Sequence, residues 1–387
     1  MVSERVSRME NPIRDVVVRA EQLERQGKRI YYLNIGDPAK FDFQPPNFVL
    51  EAACAALKTP GHSCYSASEG IYELREAIGK EDGVPPEHVI ITNGVSEGIN
   101  YSFACLIDPG ENVLMPSPTY APYLTMSRFM GGVDNFYHCG KDWVPDIDEA
   151  RKKINEKTRA ILLVNPNNPT GTIYPRKVVK QLVDLAGEHN LPVISDEIYR
   201  GMEFEGKATM PWEVSDDVPV ISLNGWSKRY ACTGFRMGYI AFHNNAEDLK
   251  NGVLGLCRMR LSANHPFQWA MLEIYRQRAL ARSYRKKMMA KLKRRRDFAF
   301  KRVNEIPGLS LVKPVAAFYA FPKIEDGRWK SDKEFVYKLL EETGVLTVFG
   351  SGFSSLLEHL HFRFVFLPPL EELEAAFDRL EEFMRKS

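Results

Sequence analysis

From about residue 85 to residue 245, short apolar and β-branched runs alternate with amphipathic stretches, the pattern of a mostly parallel sheet covered by helices. The runs at Val89–Thr92, Asn112–Met115, Ala160–Val164, Pro192–Ser195, Val220–Leu223 and Gly238–Phe242 read as strands. Between two of them Val178, Val179, Leu182, Val183, Leu185 and Ala186 recur at helical spacing with a polar face opposite. That spacing predicts a crossover helix.

After Pro266 the pattern becomes helical and basic through Lys301 and Arg302, which predicts one long helix or two consecutive ones. Strand-like runs follow at Ala317–Phe321 and Phe362–Phe366. A last helix carries Leu370, Leu373, Phe377, Leu380 and Phe383 on one face. The expected organisation is α/β: a large domain over residues 41–280 and a smaller α+β domain over 281–387. Residues 1–40 form an N-terminal arm or part of the small domain. Neither an internal repeat nor a low-complexity linker interrupts it.

A chain of 387 residues with 44% hydrophobic and 26% charged content has the material for a large core. Its 52 basic and 50 acidic residues nearly balance, so no overall field points to nucleic acid or to an anionic membrane. The basic run from Arg285 to Arg296 lacks interleaved aromatics and reads as a solvated helix face. Six scattered cysteines form no CxxC pair and read as reduced. The first residues lack a signal-peptide core and no run is long and apolar enough to span a bilayer, so a cytoplasmic location is expected.

Open α/β sheets bind ligands beyond the carboxyl ends of their strands, which directs attention to the residues after each strand candidate. Thr92-Asn93-Gly94-Val95-Ser96 joins a strand to a helix, a setting for an anion on free N–H groups, although taken alone an ordinary structural connection is the favoured reading. Asn165-Pro166-Asn167-Asn168-Pro169 is a loop stiffened by two prolines. Asp196 ends an apolar run, where an unpaired carboxylate costs several kcal/mol and calls for a cationic partner. Ser227-Lys228 and Arg236 set cations beside strand ends. Taken singly, Asp196 reads as well as a helix cap, Lys228 as a surface amine and Arg236 as a salt-bridge donor.

Together and in this order these segments resemble the class I and II aminotransferases of the fold-type I pyridoxal-phosphate enzymes. The resemblance runs through Gly36-Asp37-Pro38, Tyr65-Ser66-Ala67-Ser68-Glu69-Gly70, Pro116-Ser117-Pro118-Thr119-Tyr120, Asn168-Pro169-Thr170-Gly171, Asp196-Glu197-Ile198-Tyr199, Ser227-Lys228 with Arg236, and His361-Phe362-Arg363. It covers nearly the whole chain. It implies a seven-stranded, mostly parallel sheet between helices, and pyridoxal 5'-phosphate as cofactor.

By the same resemblance, Lys228 forms the Schiff base and then moves the Cα proton, a task closed to arginine because its guanidinium stays protonated. Asp196 faces the pyridine nitrogen, Tyr199 and Asn168 reach the phenolic oxygen of the ring, and Tyr120 stacks on its face. The phosphate rests at the Gly94 turn, on the N–H groups of Val95 and Ser96, the Ser96 hydroxyl and Arg236. Arg363 grips the substrate α-carboxylate, helped by Asn168 and the backbone near Gly36. Tyr65 reaches the phosphate of a neighbouring subunit, so a homodimer with shared sites is expected.

Three places depart from the family pattern. Gly225 stands where many relatives have a phosphate-binding serine, so one hydrogen bond to the phosphate is either missing or made by Ser227; the segment 77–84 is short; Ala316 replaces a frequent glycine. Leu33–Pro38 with Phe41, and Asn224–Lys228, look most like the alanine aminotransferase branch. Expected substrates are therefore amino acids and 2-oxo acids, with alanine and pyruvate exchanging against glutamate and 2-oxoglutarate by a ping-pong route. Aspartate or aromatic substrates remain open, with Arg258 or Arg260 as a receiver for a distal carboxylate, although surface pairing is the favoured use of either. A same-fold carbon–sulfur β-lyase and a non-catalytic ligand-sensing regulator are the other readings. His359 and His361 alternate as strand metal ligands do, but no further ligand cluster accompanies them, and no metal is expected.

Overall fold

The computed structural model describes residues 2–7 and 12–386. Its centre is a seven-stranded sheet formed by β1 (Val89–Thr92), β2 (Asn112–Ser117), β3 (Asn135–His138), β4 (Thr158–Val164), β5 (Val193–Asp196), β6 (Val220–Gly225) and β7 (Gly238–His243). The spatial order is β1-β7-β6-β5-β4-β2-β3. All pairings are parallel except those of β7, which runs antiparallel to both β6 and β1. Every residue of β1, β2, β5, β6 and β7 is buried, as a sheet sandwiched between helices requires. The helices include α1 (Val95–Leu106) and the expected crossover helix, α2 (Arg176–Glu188), which buries Val179, Leu182, Val183, Leu185 and Ala186.

Strand β3 has no counterpart among the expected strands, because Asn135-Phe136-Tyr137-His138 offers too short an apolar signal. The region after Pro266 resolves into two consecutive helices, α3 (His265–Arg276) and α4 (Arg278–Glu305), interrupted at Gln277. The basic run on α4 is not simply a solvated face. Arg295 and Arg296 are buried, Arg295 bonded to Asp42 and the Leu367 carbonyl, Arg296 to Glu205, Asp297 and the Pro314 carbonyl. Burial of their stems and satisfaction of their guanidiniums explain two arginines that charge counting assigns to solvent.

The C-terminal sheet is built around β8 (Leu360–Val365), flanked by Tyr319–Ala320, Lys323–Ile324 and Val348–Phe349, all antiparallel to it. The strand expected over Ala317–Phe321 shrinks to two residues, because Ala317 takes a left-handed φ of 59°. Helix α5 (Leu370–Lys386) covers the sheet with the apolar face read from its spacing.

The N-terminal residues join this unit. Tyr31–Tyr32 pair in parallel with Val345–Leu346, and the Val365 amide donates to the Leu33 carbonyl at 2.8 Å. Packing starts earlier than the strand pattern suggests: helix Pro12–Arg25 places Val16, Ala20 and Leu23 in one apolar cluster with Leu339, Phe364 and Leu380. This pairing carries Ile35, Gly36 and Asp37 to the edge of the large sheet, where the candidate site lies. Among the described residues no helix is long and apolar enough to cross a membrane.

Candidate active site

The parallel strands end on one side of the sheet, and β7, being antiparallel, begins there, so Asn93-Gly94, Ser117-Pro118, Asn165, Asp196, Gly225 and Arg236 converge from separate stretches of sequence. Of these, Asp196 and Arg236 line a cavity of about 580 Å³, and the others lie within a few residues of its lining. Lys228, Asp196, Tyr199, Val95, Ser96, Tyr120, Asn168, Ser227, Arg236, Gly36 and Arg363 all line it. Gly94, which precedes the lining residue Val95, has φ 79°, and a Cβ there would fall 2.5 Å from an Arg236 guanidinium nitrogen. Glycine is required twice over, by backbone conformation and by close approach.

Lys228 follows β6 and is partly covered by the cavity wall. Its Nζ donates to the Gly36 carbonyl at 2.6 Å. Burial pulls the amine down to about 8; Asp37 works against that shift, whereas Arg363 and Arg236 add to it. Asp196, at the end of β5, is 3% exposed. Burial lifts its carboxyl to about 6, although it accepts hydrogen bonds from the Tyr123 hydroxyl at 2.8 Å and the Ile198 amide at 3.1 Å. Neither of these two donors carries a positive charge.

Arg363 projects from β8 and is 1% exposed. It donates to Asn168 Oδ1 at 3.1 Å and to the Asn34 carbonyl at 2.6 Å, while among the described residues its Nε has no partner. Its guanidinium lies 4.7 Å over the Tyr319 ring. Tyr319 in turn shares a 2.8 Å hydrogen bond with the Tyr199 hydroxyl. Arg236, itself at φ 53°, donates to the Thr233 carbonyl at 2.9 Å and faces the first turn of α1, whose leading N–H groups have no intrahelical partner.

Tyr65 stands apart: it is 74% exposed and outside the cavity of its own chain. Its loop is pinned by hydrogen bonds from Arg260 to the Ser68 carbonyl and from Gln268 to Ser66, with His265 Nδ1 against the Cys64 carbonyl. Arg260 also pairs with Glu97, and neither it nor Arg258 lines the cavity. His361 is buried, stacked on Phe321 and bonded to the Pro322 carbonyl, which accounts for it as a packing residue.

Sequence reasoning missed Tyr123, Tyr319, Thr233 and any task for Asp37. Tyr123 lies one helical turn beyond Tyr120, and an i, i+3 search from the expected stacking residue finds it. Tyr319 has no such local signal. The departure at Gly225 has a packing reason, since a Cβ there would lie 2.8 Å from the Met237 carbonyl oxygen and 3.0 Å from Gly238 Cα.

The fold and the cavity define an α/β enzyme whose site pairs a lysine amine with a buried carboxylate and two arginines. The family model for aminotransferase class I and II matches residues 28–380, and the chain belongs to that family. It is an aminotransferase, in a family that is pyridoxal-phosphate-dependent in general. Glutamate-pyruvate aminotransferase AlaA of Haemophilus influenzae is 36% identical over 94% of this chain and 93% of its own length. An alanine aminotransferase structure from Pyrococcus furiosus is 46% identical with a TM-score of 0.95, covering 100% of both chains. A Thermus thermophilus aspartate aminotransferase double mutant is 32% identical with a TM-score of 0.91 over 99% of each.

The residues present fit the family's cofactor. The Asp196 carboxylate accommodates a pyridinium N–H, the Gly94 turn with Arg236 suits a phosphate, and the depressed Lys228 amine suits an aldehyde.

Proposed function

We propose that this aminotransferase holds pyridoxal phosphate on Lys228 and exchanges amino groups between alanine and 2-oxoglutarate in two half-reactions. The observation that carries the reading is one cavity holding both an amine lowered to about 8 and a buried carboxyl raised to about 6. Each group is costly there without a ligand, and the cofactor satisfies both. When bound, pyridoxal phosphate supplies the electron sink for charge released at the substrate Cα.

The remaining work falls to side chains. Asp196 holds a proton on the ring nitrogen, and Tyr123 keeps the carboxylate oriented. Arg236, Ser96, Ser227 and the first N–H groups of α1 would hold the phosphate, while Tyr120 would cover the ring and Tyr199 and Asn168 would donate to its phenolic oxygen. Arg363 would clamp the substrate α-carboxylate and so fix the substrate Cα within reach of Lys228. Lys228 Nζ, free-base in part at neutral pH, takes that proton and returns it.

Alanine is favoured by the names of the relatives, a glutamate-pyruvate aminotransferase and an alanine aminotransferase. Two copies with shared sites, a cytoplasmic location and a division near residues 40 and 280 complete the reading. The test is a single-turnover screen in which each amino acid is mixed with loaded enzyme and the absorbance change to the pyridoxamine form is followed. Alanine and glutamate are expected to react fastest. A preference for aspartate, or ammonia release from cystathionine without a keto acid, overturns the substrate assignment.

A further inference from the structure

We propose that Asp37 is a positioning residue, its carboxylate clamped to Thr233 so that the Ile35–Gly36 wall is held against Lys228 and the amine works beside a fixed negative charge. The inference rests on the cofactor reading and assigns a task to a residue that the reading leaves idle.

Three contacts meet at Asp37. Thr233 Oγ1 donates to Asp37 Oδ1 at 2.6 Å, across 196 positions of sequence. The Ala39 amide donates to the same oxygen at 3.1 Å, and the Asp37 amide donates to the Ile35 carbonyl at 2.9 Å. The preceding residue, Gly36, receives Lys228 Nζ on its carbonyl, and the Thr233 carbonyl receives Arg236. Adjacent residues of the N-terminal segment thus grip Lys228 directly and Arg236 through Thr233. On its other side the segment packs closely on Tyr319, where a Cβ at Gly36 would lie 2.0 Å from the hydroxyl.

Charge counting points the same way. The groups acting on Lys228 are the carboxylates of Asp37 and Asp196 and the guanidiniums of Arg363 and Arg236, with the phenols of Tyr120, Tyr199 and Tyr319 lining the same cavity. Of these groups Asp37 acts most strongly on Lys228, ahead of both guanidiniums and of Asp196, so it is the carboxylate that chiefly balances the two cations. The plainer role, capping the short turn Pro38–Lys40 through Ala39, survives an Asp-to-Asn change and is indifferent to Thr233. The clamp is not.

The experiment uses the full-length, cofactor-free protein and trace acetic anhydride, with the Lys228 peptide quantified by mass spectrometry across pH. Asp37→Asn keeps an acceptor for Thr233 but removes the charge. Its labelling midpoint is expected to fall by on the order of one pH unit, read as up to about tenfold faster labelling at neutral pH. Thr233→Val keeps the charge and removes the donor; pyridoxal phosphate loss from the loaded variant is expected to quicken about tenfold, with Thr233→Ser restoring retention. An unmoved midpoint in Asp37→Asn, or wild-type retention in Thr233→Val, overturns the proposal. Because the labelling uses no cofactor, its failure is separate from failure of the cofactor reading, which a cofactor bound at another lysine would reveal.

Discussion

Asp196 illustrates how a side chain can be destabilising alone and indispensable in use. Its folded-state pKa of about 6 lies above the ordinary carboxyl value of 3.8. Between those values the folded protein holds more protons than the unfolded one, so this group's contribution makes stability fall as pH rises, and the loss is complete above about pH 6. At about 1.36 kcal/mol per pKa unit the penalty is on the order of 3 kcal/mol. Cofactor-free Asp196→Asn is therefore expected to unfold at higher urea than wild type at pH 8, the advantage vanishing near pH 4. It is also expected to lose activity. Equal stability at pH 8 would contradict the assignment of Asp196 as a buried charge whose burial outweighs its hydrogen bonds. At this scale the sequence was informative wherever chemistry and strand ends coincide, as for Asp196, Lys228 and Arg236. Tyr319 stayed hidden because its relevance comes from a 2.8 Å contact with Tyr199 across 120 positions, a matter of packing between units.

Strands β5 and β6 each open on a Val-Ile pair and end in polar residues, and that change of character made both the elements and their functional ends readable. Legibility failed where local and tertiary preferences disagree. Ala317 turns left-handed within an apolar run, and Arg295 and Arg296 are buried against the Leu367 and Pro314 carbonyls while meeting Asp42 and Glu205 at the surface. Gly225 shows the reverse case, an unusual residue explained by its element. Strand β7 approaches β6 too closely at Gly238 for any side chain there. Gly225→Ser is expected to cost about 1–3 kcal/mol in denaturant unfolding and to weaken, not improve, phosphate retention. Tighter cofactor binding in that variant would show that the close packing yields readily.

For the whole molecule, the N-terminal strand and the C-terminal sheet form one apolar cluster, which explains how Ile35 and Arg363, far apart in sequence, share a cavity with Lys228. Such long-range closure was legible only through family resemblance, since no local spacing encodes it. Tyr65 belongs at this scale too: a rigidly held loop presents it away from its own cavity. If it completes a neighbour's site, co-expressing Tyr65→Ala with Lys228→Ala should produce mixed dimers with one intact site. Specific activity should then rise above the mean of the separate variants, toward roughly a quarter of wild type for random pairing. Activity equal to that mean would assign Tyr65 to its own chain or to local packing.

The most direct measurement is borohydride reduction of the loaded enzyme followed by peptide mapping. The account requires the reduced pyridoxyl group on Lys228 and its disappearance in Lys228→Ala. A pyridoxyl group on any other lysine in the native enzyme would contradict it.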